Sequence, residues 1–159
     1  MEAWSDFGVA VVGATAALIG LLFVALSINL RQILGSVALP SRAAFALRLL
    51  LVPLVSTVLL LVPQSPVAFG VELLVLSALL GPPLLVLARP GARPAEQPLL
   101  ARLVATELPA AVVVLATVAA GVLLVTGRTA GLYGVAIATV AALAGALVST
   151  WVLVVEILR

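Results

Sequence analysis

The sequence predicts an all-α fold, an integral membrane bundle of five transmembrane helices with the N-terminus outside and the C-terminus cytoplasmic. Three observations predict it. Of 159 residues, 65% are hydrophobic and 9% are charged, whereas a water-soluble domain carries about 25% charged residues to wet its surface. The apolar residues gather into five runs, each close to the roughly 20 residues that a helix needs to cross about 30 Å of hydrocarbon. The short connections between the runs hold most of the prolines and arginines.

The first run covers residues 7–30 and contains no charge. Its flank is acidic, with Glu2 and Asp6, while a secretory leader has a basic flank and a shorter apolar core. A retained span is therefore expected. The second run, 43–62, carries Arg48 near its start and Pro53 inside. Pro63-Gln64-Ser65-Pro66 then forms a tight turn, because each proline resists helix continuation. The third run, 67–88, has Glu72 near its start and Gly81-Pro82-Pro83 near its end. A polar connection with three prolines follows at 89–102. The fourth run, 103–126, has Glu107 and Pro109 in its first turns, and Gly127-Arg128-Thr129-Ala130-Gly131 makes the next turn. The fifth, 132–155, places Trp151 near its end, at interfacial depth.

Arginines in short loops mark the cytoplasmic side. Arg31, Arg42 and Arg48 flank the first connection, and Arg89, Arg93 and Arg102 the third. The second has none, the fourth has Arg128 alone, and Arg159 lies at the C-terminus. This alternation sets the orientation. Spans two and three also admit a re-entrant hairpin, which the arginines do not distinguish from two crossings. Two crossings are preferred, because a turn buried in lipid would leave backbone groups unpaired at several kcal/mol each. The pairs 43–88 and 103–155 share an opening arginine, an early proline and an early glycine in the second helix (Gly70, Gly134). They are read as a possible parallel repeat.

The composition excludes much chemistry. All eight cations are arginine, with no lysine, histidine or cysteine. Disulfides, thiolate metal sites and zinc or haem ligand sets are thereby excluded. Serine hydrolysis lacks a base, Glu72 and Glu107 fall near opposite membrane surfaces, and phosphate and dinucleotide motifs are absent. No enzyme activity and no cofactor are expected. Eight scattered arginines make no nucleic-acid footprint.

Two sets of residues remain as candidates. Ionisable and amide groups in spans are costly and mark polar contacts or pathways. Ser27, Asn29, Glu72, Glu107, Arg48 and Arg128 form that set, with Glu72–Arg128 and Arg48–Glu107 as expected ion pairs. Small residues at helical spacing allow helices to approach in lipid. Gly13, Ala16 and Gly20 in the first span, and Gly134, Ala138, Ala141, Gly145 and Ser149 in the fifth, are read as packing or oligomer faces.

The stretch Gly13-Ala14-Thr15-Ala16-Ala17-Leu18-Ile19-Gly20-Leu21-Leu22-Phe23-Val24-Ala25-Leu26-Ser27-Ile28-Asn29-Leu30, followed by Leu39-Pro40-Ser41-Arg42-Ala43-Ala44, resembles an uncharacterised family of small bacterial membrane proteins. The resemblance implies a multi-pass protein of the bacterial cytoplasmic membrane without assigned activity. The expected role is structural or accessory, with the lipid bilayer, further copies of the chain or other membrane subunits as partners. The alternative is a homo-oligomeric channel or small-solute carrier.

Overall fold

The computed structural model describes residues 4–36, 38–88 and 106–157. All regular structure among them is helical: α1 (Ser5–Ile28), α2 (Leu30–Gly35), α3 (Leu39–Leu61), α4 (Pro66–Ala88), α5 (Leu108–Val125) and α6 (Gly131–Ile157). Five of these, all but the six-residue α2, are long and apolar enough to cross a membrane. Their bounds follow the sequence expectation within a few residues, except that α5 begins at Leu108. The expected start at 103 and the arginine-bearing connection 89–102 lie outside the described residues.

α3 and α4 are 23 residues each, which at 1.5 Å per residue gives about 34 Å apiece. Each is continuous through its prolines, so each has the length of a crossing. Pro53 removes one backbone donor inside α3. Just beyond it, the Ser56 and Thr57 hydroxyls both donate to the Pro53 carbonyl, at 3.2 and 2.6 Å. Their polar groups are thus satisfied within the helix. α5 ends in a left-handed cap: Gly127 has φ of 80°. Its N–H donates to the Leu124 carbonyl at 3.0 Å, and the Arg128 N–H donates to the Leu123 carbonyl at 2.8 Å. Glycine accepts that conformation without a Cβ clash.

Helices α3, α4, α5 and α6 form a ring in which each packs on the next and α6 returns to α3. Neighbours run antiparallel: the start of α4 lies against the end of α5 at Gly70 and Gly121, and the start of α6 against the same end at Gly131. The centre is filled with apolar side chains. Phe45, Leu49, Leu84, Val113 and Ala142 pack at one level, and Phe69, Leu73, Ala120, Leu124 and Val135 at the other. α1 stands outside the ring against α3, joined by the short α2, and barely touches α6. It buries Gly8, Val11, Thr15 and Leu22 on one face.

The outer surface is apolar. Leu79 is 68% exposed and Leu115 69%, with many valines and leucines between. Such a surface is stable against lipid tails and not against water, since contiguous exposed apolar area on a soluble protein is limited to a few hundred Å².

Candidate functional site

At one end of the bundle the 62–65 turn, the 126–130 turn and the N-terminal end of α1 meet. Gln64 organises this end. Its side-chain amide donates to the Leu59 carbonyl and to Glu72 Oε2, both at 2.8 Å. Glu72 therefore accepts from Gln64 instead of pairing with Arg128, which is exposed in the following turn. The physical reason is local: Gln64 sits on the same hairpin as Glu72, two residues before α4, and needs no contact between separate hairpins. Trp4 lies edge-on to Phe7 and to Tyr133, with ring centroids 5.5 and 5.2 Å apart. This ties α1 to α6 at that end.

At the opposite end, Arg48 on α3 and Glu107 just before α5 are both half-buried. Ser27 and Asn29 close the end of α1. The Ser27 hydroxyl donates to the Phe23 carbonyl at 2.8 Å and the Asn29 amide to the Ala25 carbonyl at 2.9 Å. Both satisfy themselves on their own helix, so neither reaches across to a neighbour.

The two small-residue faces have different surroundings. On α6, Ala138 and Ser149 are buried, and Ala141 packs partly buried against the core. A Cβ on Gly134 would stand 2.9 Å from Ala120 Cβ, and one on Gly145 would stand 2.5 Å from Pro109 Cβ. That face is filled by α5 and α3 of the same chain. On α1, Gly13, Ala16 and Gly20 are exposed, and a Cβ on either glycine would meet nothing within 4 Å. Among the described residues, nothing packs against the two glycines of the first-span face.

One close helix contact was not singled out by the sequence. Gly70 and Gly121 face each other across α4 and α5. A Cβ on either would approach the other's carbonyl oxygen to 2.9 Å. The available signal was Gly121 itself, placed in an 18-residue helix otherwise made of good lipid-facing residues. Glycine costs helix stability there by about 1 kcal/mol, so its place in the sequence points to close approach.

Tyr133 and Trp151 on α6 also have a geometric relation. They are 66% and 71% exposed. Their 18-residue spacing is five helical turns, so they share one face about 27 Å apart. That matches aromatic residues at the two surfaces of a hydrocarbon layer of about 30 Å. No family of proteins, curated protein or solved structure matches the chain.

Proposed function

We propose that the protein resides in the bacterial cytoplasmic membrane, N-terminus outside and C-terminus inside, as a non-catalytic structural or accessory subunit that acts by helix association. The observation that carries this reading is the face of α1 opposite its contact with α3. Ala10, Gly13, Ala17 and Gly20 repeat there at spacings of three and four, all exposed. Between helices in lipid, where apolar burial drives little, small residues let backbones come close. The other small-residue face is already occupied within the chain. The first span is thus equipped to meet a second copy or another membrane polypeptide. The arginine alternation supports the orientation, and the likeness of the first span to small bacterial membrane proteins supports the location.

The mass of the protein in lipid nanodiscs tests this. The wild-type chain is expected as an oligomer or as part of a larger assembly. The double variant Gly13→Leu with Gly20→Leu is expected as a single chain that remains folded, because a Cβ at either site meets nothing within 4 Å. A wild-type single chain without partners would overturn the reading.

The channel or carrier reading is second. Phe45, Leu49, Phe69, Leu73, Leu84 and Leu124 are fully buried in the bundle, so a permeation path would run between chains instead of through one. Ser27, exposed on α1, is the polar group that favours it. Conduction by the reconstituted protein, altered by Glu72→Gln, would bring that reading forward.

A further inference from the structure

Ser77 lies at the middle of α4, the twelfth of its 23 residues, and Thr117 lies at the middle of α5. Most of the buried hydroxyls bond to their own helix: Thr15 to the Val11 carbonyl, Ser56 and Thr57 to Pro53, and Thr117 to Val113 at 2.7 Å. Ser77 and Thr139 do not. The Ser77 Oγ is sealed from the surface and has no hydrogen-bond partner. A hydroxyl held this way is costly, and buried polar atoms are satisfied by protein or by bound water.

Ser77 and Thr117 are among the residues that line one small, partly open recess of about 10 Å³, together with Val52, Leu80, Gly81 and Val113. That volume is close to the minimum that holds one water molecule, which also needs two to four polar partners. Thr117 spends its proton on Val113 and keeps its oxygen lone pairs. Ser77 keeps both its proton and its lone pairs. We infer that a single water molecule is bound between α4 and α5 at mid-depth, donating to Thr117 Oγ1 and accepting from the Ser77 hydroxyl.

The surrounding helix supports such a site. Pro82 and Pro83 have no N–H, so the carbonyls of Ala78 and Leu79 lose their usual partners four residues on. Ordered water is one means by which transmembrane helices satisfy groups released by proline. A groove of about 280 Å³ runs along the outside of α4 and α5 past Ala78 and Pro82, and it shares Ser77, Gly81 and Val114 with the recess. The water site therefore adjoins that groove, and Gly81 borders both. The site depends on neither the oligomeric state nor the orientation of the chain.

The test is solid-state NMR of the full chain in bilayers of deuterated lipid, following proton magnetisation transferred from water. Transfer to Ser77 and Thr117 is expected to be several-fold stronger than to Ser56 and Thr57, whose hydroxyls are bonded to backbone. Ser77→Ala combined with Thr117→Val is expected to abolish transfer at position 117, whereas Ser56→Ala leaves it unchanged. Absence of transfer to Ser77 and Thr117 in the wild-type protein would overturn the inference, as would transfer undiminished in the double variant. Should the double variant misfold, the wild-type spectrum decides alone.

Discussion

Replacing Gly121 with leucine is expected to destabilise the bundle by about 3 kcal/mol, at the upper end of what overpacking costs. A Cβ at this position would already stand 2.8 Å from Leu74 Cγ and 2.9 Å from the Gly70 carbonyl oxygen. The leucine side chain could shift, but the carbonyl belongs to the α4 backbone. The two helices would have to part along a contact that also buries Phe69, Leu73 and Leu124. Thermal unfolding in a mild detergent measures the loss. Gly20→Leu, with nothing near its Cβ, serves as the control and is expected to stay within about 0.5 kcal/mol of wild type. Equal melting temperatures for the two variants would show that α4 and α5 do not meet at these glycines.

Gly145→Leu is expected to be nearly as damaging, by about 2–3 kcal/mol, at the other end of the bundle. Its Cβ would lie 2.5 Å from Pro109 Cβ, 3.0 Å from Pro109 Cγ and 3.3 Å from Leu49 Cδ1. Proline's ring is rigid and cannot rotate out of the way, so α6 would be wedged from both α5 and α3. Gly145→Ala is expected to retain part of the loss, because the clash begins at Cβ. A fully stable Gly145→Leu protein would mean that α6 does not close the ring as described. These two variants act at different depths and share no neighbour, so their losses are expected to add.

The helices were legible because the bilayer demands length. Runs of about 20 apolar residues and proline-rich turns between them give the same five elements that the structure contains. The packing was legible only in part. The small residues of α6 are legible as a contact face, yet the same pattern on α1 looks outward. The pattern shows only that a backbone can be approached and carries no record of what approaches it. The polar contacts were the least legible. Charges of opposite sign at equal depth invite pairing, but Glu72 found Gln64 on its own hairpin. Opposite charge sets an attraction, while distance is set by which helices neighbour each other and by how their faces turn. Gly121 shows the converse. Its role depends on Gly70, fifty-one positions earlier, and becomes evident only when α4 and α5 are laid together.

The central claim is that these helices cross a membrane and that their exposed faces meet lipid. Because the chain has no cysteine, single introduced cysteines report position without background. Ser65→Cys and Thr129→Cys, exposed in the two turns at one end, are expected to react with a membrane-impermeant maleimide in intact cells. Gln32→Cys, exposed on α2, is expected to react only after lysis. Leu79→Cys and Leu115→Cys are expected to resist in both conditions, although each of those positions is more than two-thirds exposed on the isolated chain. Rapid aqueous labelling at 79 and 115, at the rate seen for 129, would contradict the account.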